Sequence, residues 1–132
     1  KVILCTAGRW GERWRGILKA HGANVVAVEV PYGKAVQPAM LEKALGENPD
    51  AKAVFATLSE TSTGIGHDIA AFGKLVAKTD ALLIVDGISG LGAMGCCIIH
   101  MLAEIEPGVT VINLDTGYQF PETLELRERI LE

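Results

Sequence analysis

The chain has 132 residues, 49% of them hydrophobic and 21% charged, and its formal net charge is −4. These values are typical of one globular domain over residues 1–132 and exclude a disordered chain. The acidic balance gives no electrostatic basis for binding nucleic acid or an anionic membrane, and no apolar run reaches the ~18 residues that span a bilayer. We therefore expect neither nucleic acid nor membrane as a partner.

The cysteines and histidines indicate neither a disulfide nor a metal site. The three cysteines, Cys5, Cys96 and Cys97, are odd in number and lack a C-x-x-C spacing, which favours free thiols in the cytoplasm. The histidines have no partner spacing, so His67 and the other two are interpreted as surface or helix-end residues. We expect no metal.

Apolar runs and helical stripes alternate along the chain. Strands are predicted at residues 2–5, 25–30, 53–56, 82–85 and 109–114, which are apolar and rich in β-branched residues. Helices are predicted at residues 12–20, 39–45, 69–76, 94–105 and 121–131, from i, i+3, i+4 spacing and from proline and glycine boundaries. Residues 57–66 are interpreted as a polar turn. The first helix is expected to bury Trp14, Ile17 and Leu18.

Five strand–helix units predict an α/β fold. Strands without alternation are covered on both faces, which indicates a three-layer α/β/α sandwich around a five-stranded parallel sheet. The most economical topology is the flavodoxin-like, Rossmann-like order 2-1-3-4-5. The order reverses between the first and third strands, so the turns at residues 6–11 and 57–66 are expected to line the ligand crevice.

Aromatic and basic side chains surround the first of these turns. Trp10 could stack on a flat ligand or could be a half-exposed loop aromatic, whereas Trp14 is expected in the core. Arg9 and Arg13 lie near a helix N-terminus, which favours anions. A solvated basic turn or a fortuitous phosphate or sulfate near these arginines is therefore expected.

Hydroxyl and carboxylate groups follow the other strands. Residues 61–64, TSTG, could cradle a phosphate or cap the next helix. Asp86 and Asp115 end strands that are neighbours in the expected order. They could bind a cation together or act as acid and base, or each could accept hydrogen bonds from the backbone of its own turn.

Three motifs occur in order: GRWGER at residues 8–13, ETSTG at 60–64 and VDGISGLG at 85–92. Together they resemble the class V aminotransferases, pyridoxal phosphate (PLP) enzymes of the serine–pyruvate and alanine–glyoxylate type, over residues 1 to about 95. The resemblance implies that Trp10 stacks on the cofactor ring and that Thr61 hydrogen-bonds the pyridine side. It also implies that Asp86 pairs with the ring nitrogen and that Ile88 packs beneath the ring.

The sequence departs from that family in two ways. The family's cofactor-bearing lysine follows the aspartate by a few tens of residues, but no lysine follows Asp86 here. The family's phosphate-cradling helix lies upstream of residue 1. We therefore expect no catalytic residues and no cofactor beyond a vestigial PLP site.

A second pattern covers residues 96–132, with CIIHMLAEI at 97–105 and VINLDTGYQFPET at 111–123. It resembles the phosphoadenylyl-sulfate (PAPS) reductase family, without that family's C-terminal catalytic cysteine. The resemblance implies a vestigial nucleotide site formed by Leu114, Asp115, Thr116 and Gly117.

The two resemblances meet near residues 92–97. We interpret the chain as an engineered chimera, a flavodoxin-like scaffold with no evolved catalytic activity, and hence as no enzyme. The alternative is a weak residual binder of PLP, FMN or an adenine nucleotide at the C-terminal ends of the strands. A monomer or weak homodimer is expected.

Overall fold

The structure is a computed structural model that describes residues 1–88. Its elements are β1 (Val2–Thr6), α1 (Arg9–Ala20), β2 (Val25–Glu29), α2 (Pro38–Glu47), β3 (Ala53–Thr57), β4 (Ser59–Glu60), β5 (Ile65–Gly66), α3 (Ile69–Val76) and β6 (Leu82–Asp86). The predictions for the fifth long strand, for the last two helices, for Cys96 and Cys97, and for Leu114, Asp115, Thr116 and Gly117 fall outside the described residues.

The four long strands form one parallel sheet in the order β2-β1-β3-β6. Val2 lies opposite Val25 on one side and Ala53 on the other, and Ala53 lies opposite Leu82. The α/β fold with a parallel sheet is confirmed, and the order of these strands is the one predicted for the first four. A fifth strand stays a prediction.

The core lies between the sheet and the helices α2 and α3. Side chains alternate between the faces of a strand, so Ile3 and Cys5 of β1 share one face. They pack in one cluster with Leu41 of α2 and Phe72 of α3, all of them fully buried. Burial of a side chain the size of Phe72 stabilises the fold by roughly 1.5–3 kcal/mol. The helix α1 packs against the other face, where the backbone of Thr6 closely approaches Gly11.

The first helix differs from its prediction in its first residue and in the side chains that it buries. It begins at Arg9, three residues earlier than expected, and its N-cap, Gly8, has no side chain to cap it. On the face that was expected to be buried, Leu18 is buried, but Trp14 is only half-buried and Ile17 is 41% exposed. The expectation that Trp14 and Ile17 belong to the core is therefore wrong, because both lie on α1, whereas the core cluster lies between the sheet and the helices α2 and α3.

The polar turn expected at residues 57–66 contains a small hairpin. The strands β4 and β5 pair antiparallel, with Ser59 opposite Gly66 and Glu60 opposite Ile65. Gly64 has a φ of 72°, a left-handed conformation that favours glycine. Among the described helices, none combines the length and the apolar composition needed to cross a membrane.

Candidate functional site

The candidate residues gather at one edge of the sheet. The strands β1 and β3 are adjacent and parallel, so α1 and the hairpin, which follow them, start from the same edge. β6 ends there too, since Asp86 lies opposite Thr57 in the register of β3 and β6. This edge is the crevice expected from the reversal of strand order.

Glu60 connects the hairpin to the first turn of α1. Its side chain is fully buried, and its Oε2 accepts hydrogen bonds from the backbone N–H groups of Trp10 and Gly11, both at 3.1 Å. The hydroxyl of Ser62 hydrogen-bonds to the same carboxylate and accepts from the N–H of Arg9 at 3.0 Å. These donors, together with the positive end of the helix, compensate the cost of burying a charge.

Two glycines permit close approaches at the start of α1, Gly8 to Glu60 and Gly11 to Thr6 of β1. A Cβ atom at Gly8 would lie 2.6 Å from both Cγ and Cδ of Glu60, and one at Gly11 would lie 2.8 Å from the Cα of Thr6. Real Cβ atoms are not found at such distances, so the glycines of the GRWGER motif are required by packing.

Trp10 is fixed at one edge and exposed over much of its ring. It lies in the first turn of α1 instead of a loop, and its indole Nε1–H donates to Thr61 Oγ1 at 2.8 Å. Its side chain is 41% exposed. Because the Thr61 hydroxyl acts as an acceptor in this bond, it keeps its own proton for donation to a ligand.

Asp86 is held by a different tryptophan. Its Oδ2 accepts from the indole Nε1–H of Trp14 at 2.9 Å, and its Oδ1 accepts from the backbone N–H of Ile88 at 3.2 Å. The Trp14 ring packs on Phe55, with centroids 5.2 Å apart and planes inclined at 45°. The Ile88 side chain is 65% exposed. The expected hydrogen bond from the turn to Asp86 is therefore present.

An open depression of about 650 Å³ lies beside the first turn of α1. Its lining residues are Arg9, Trp10, Glu12, Arg13, Thr61 and Ser62. The structure thus brings Trp10 and Thr61 together with the two arginines expected near an anion, whereas Asp86 and Ile88 are not among the lining residues. A hydrogen bond with Glu12 raises the pKa of the exposed Tyr32.

The roles of Glu60 and Trp14 were not predicted from the sequence, and of the two alternatives for His67 the structure supports a helix end, just before α3, and not a surface position. Glu60 stands in a polar turn and was interpreted only as part of a motif; the available signal is that Gly8 cannot cap the helix that follows it. His67 is 6% exposed and not a surface residue. Its Nδ1 lies 2.7 Å from the carbonyl oxygen of Thr57, and its buried Nε2 has no partner among the described residues. Burial lowers the pKa of His67.

Known proteins resemble this chain in sequence and in structure. The family model for class V aminotransferases matches residues 1–98. The L-aspartate–glyoxylate aminotransferase of Paracoccus denitrificans is 38% identical over 130 residues, which are 96% of this chain and 32% of that protein. The crystal structure of alanine–glyoxylate aminotransferase from Nostoc sp. superposes with a TM-score of 0.65 at 28% identity, covering 69% of this chain and 24% of that one.

A shorter match concerns the second resemblance. A stretch of 38 residues, 29% of this chain, is 55% identical to adenosine 5'-phosphosulfate reductase of Salinibacter ruber, of which it covers 15%. Both resemblances inferred from the sequence are therefore found among known proteins, and the second is consistent with a chimera. That the chain was engineered stays a prediction.

One expectation is overturned by these similarities. The chain was expected to be no enzyme, but the matching family model and the structural neighbours are aminotransferases, which are enzymes. The expectation was wrong because it was based only on the absence of a lysine after Asp86 in this chain. The chain spans only about a third of the length of its curated relative, 32%, so it is compared with part of an enzyme.

Proposed function

The chain belongs to the class V aminotransferase family, and we propose that it forms the part of a PLP site that binds the pyridine ring of the cofactor. Bound PLP supplies an electron sink, a protonated pyridine ring that withdraws electrons from the substrate. The observation that carries the proposal is the anchored and exposed indole of Trp10, which lies beside the free hydroxyl proton of Thr61.

Trp10 is preorganised for stacking. Its backbone N–H is held by the buried Glu60 and its indole N–H by Thr61, so both the helix turn and the ring edge are fixed before a ligand arrives. Stacking of aromatic rings contributes about 0.5–1.5 kcal/mol beyond the area that it buries. A ring that is already oriented loses little conformational entropy on binding, which favours a flat aromatic ligand at this position.

Asp86 is suited to hold a proton on the ring nitrogen. Each of its carboxylate oxygens accepts one hydrogen bond from the protein, and each oxygen can accept a second. A carboxylate that accepts from a pyridinium N–H forms a charge-assisted bond, which contributes about 1.5–3 kcal/mol. Ile88 follows two residues later, and its exposed side chain is available to pack against the ring.

The arginines in the depression are suited to an oxyanion. Arg9 and Arg13 are one helical turn apart, so they lie on the same side of α1. Within residues 1–88, neither guanidinium forms an ion pair with a carboxylate. The first amides of α1 already donate to Glu60 and are not available to an anion. A phosphate or carboxylate of the ligand would therefore bind to the guanidinium groups.

The ring-binding proposal is tested with pyridoxamine 5'-phosphate, which has no aldehyde and so cannot condense with surface lysines. Calorimetric titration of the full chain is expected to show saturable binding together with quenching of tryptophan fluorescence. Asp86→Asn removes the negative charge at constant shape and is expected to weaken binding by about 10- to 100-fold, the loss of one charge-assisted hydrogen bond. Asp80→Asn, at an exposed position, is the matched control.

The outcomes are distinct. Equal affinities for Asp86→Asn and Asp80→Asn, or the absence of saturable binding by the unmodified chain, would contradict the proposal. Pyridoxamine without its phosphate and inorganic phosphate alone identify the group at the arginines. If Arg13→Gln weakens the phosphorylated compound and spares pyridoxamine, the depression binds the phosphate; if it affects neither, the arginines bind another oxyanion or none.

A further inference from the structure

Trp14 contacts both Asp86 and Phe55. It follows Trp10 by four positions and so lies on the same side of α1. Its indole Nε1–H donates to Asp86 Oδ2 at 2.9 Å, across 72 positions of sequence, and its ring packs on Phe55 of the neighbouring strand. It is half-buried, so this hydrogen bond is partly shielded from water.

We propose that Trp14 is a positioning residue that sets the orientation of the Asp86 carboxylate for the ring nitrogen of the cofactor, an inference that rests on the proposed function. A carboxylate on a strand end can rotate about its last side-chain bond. Asp86 has a donor on each oxygen, Trp14 on Oδ2 and the backbone of Ile88 on Oδ1. The two donors belong to different segments, so together they fix the plane of the carboxylate and the direction of its free lone pairs.

The packing on Phe55 explains why the donor is a tryptophan. A donor can orient an acceptor only if the donor itself is fixed, and the contact between the rings restricts rotation of the indole. Trp14→Phe keeps an aromatic ring against Phe55 but loses the N–H. Phe55→Leu keeps the N–H but loses the ring contact. The two variants therefore separate the hydrogen bond from the packing.

The first measurement concerns the chain without ligand. It contains two tryptophans, so the indole region of a ¹⁵N correlation spectrum holds two signals, assigned by the loss of one signal in Trp14→Phe. We expect Asp86→Asn to shift the Trp14 signal and to leave the Trp10 signal in place, with Asp80→Asn shifting neither. A Trp14 signal that does not respond to Asp86→Asn would overturn the inference.

The second measurement follows the ring nitrogen of bound pyridoxamine 5'-phosphate, labelled with ¹⁵N, as the pH is raised. In the unmodified chain the ring is expected to stay protonated to a higher pH than in Trp14→Phe, whose affinity should also fall by about tenfold, the loss of one well-oriented hydrogen bond. Phe55→Leu should show a smaller effect on the titration.

A merely structural role for Trp14 would lower the stability of the chain without moving the ring titration. If the unmodified chain binds the compound and Trp14→Phe leaves that titration unchanged, the inference is overturned while the proposed function stands. If the unmodified chain does not bind the compound, the proposed function is overturned and this role of Trp14 with it.

Discussion

Glu60 shows how one buried carboxylate can organise a site that it does not line. It is fully buried, and its carboxylate accepts hydrogen bonds from the backbone N–H groups of Trp10 and Gly11 and is hydrogen-bonded by the Ser62 hydroxyl. A helix begins with N–H groups that have no intrahelical partner, and Gly8 offers no side chain to satisfy them. Glu60 therefore does from a distance what an N-cap residue usually does locally.

Replacing Glu60 by Gln tests this role. The amide keeps the shape but loses the charge, and its NH₂ group is a donor facing donors. We expect the free energy of unfolding to fall by about 2 kcal/mol, as for the loss of an N-cap combined with a charged hydrogen bond. Urea unfolding followed by circular dichroism measures the change. Glu42→Gln, at an exposed position of α2, is the control, and a similar change in both variants would contradict the role of Glu60.

At the scale of elements, α1 is defined by contacts on two sides. The hairpin satisfies its first turn, and the sheet fixes how closely its backbone approaches. The closest approach is at Gly11, where a Cβ would lie 2.8 Å from the Cα of Thr6. Gly16, in the same helix, has no atom within 4 Å of a Cβ at its position.

These two glycines give opposite expectations for the same substitution. Gly11→Ala forces α1 away from β1 and should destabilise the chain by about 1–3 kcal/mol, as overpacking does. Gly16→Ala should stabilise it by up to about 1 kcal/mol, the difference in helix propensity. Thermal unfolding of the two variants beside the parent is the measurement. A Gly11→Ala variant at least as stable as the parent would show that α1 is not packed on Thr6 in this way.

At the scale of the whole molecule, the parallel sheet could be predicted because each of its strands is an apolar run that ends at a glycine, a proline or a polar residue. The hairpin β4–β5 could not, because two-residue strands have no detectable period. The start of α1 was missed because its capping carboxylate lies 50 positions away in the sequence. Trp10 and Asp86 were predicted as site residues from their positions and from the resemblance, whereas the bond between Trp14 and Asp86 joins residues that no local pattern connects.

The stability of the whole molecule should depend on pH through His67. Burial lowers its pKa in the folded chain, with the Thr57 hydrogen bond and the charge of Glu60 acting in the opposite sense. The unfolded chain, with a histidine pKa of about 6.5, then binds more protons as the pH falls. The contribution of neutral His67 to stability is therefore complete above about pH 6.5. It is lost as the pH falls through the lower pKa that His67 has in the folded chain.

Unfolding in urea between pH 5 and pH 8 measures this dependence. We expect the loss of stability at low pH to be smaller in His67→Gln, whose amide can still donate to the Thr57 carbonyl. His21→Gln, at an exposed helix end, is the matched control. An unchanged pH profile in His67→Gln would assign the dependence to other groups.

The contact between Glu60 and the glycines of the first motif links the histories of two distant stretches of sequence. Any side chain at Gly8 would occupy the space that Cγ and Cδ of Glu60 fill, so neither position can drift alone. Replacement of Glu60 by a shorter acid would leave the space beside Gly8 empty and would move the carboxylate away from the N–H groups of α1. Compensating changes at residues 8–11 and 60–62 should therefore arise in pairs within a lineage, and a segment transplanted into another protein must carry both stretches to keep its first helix.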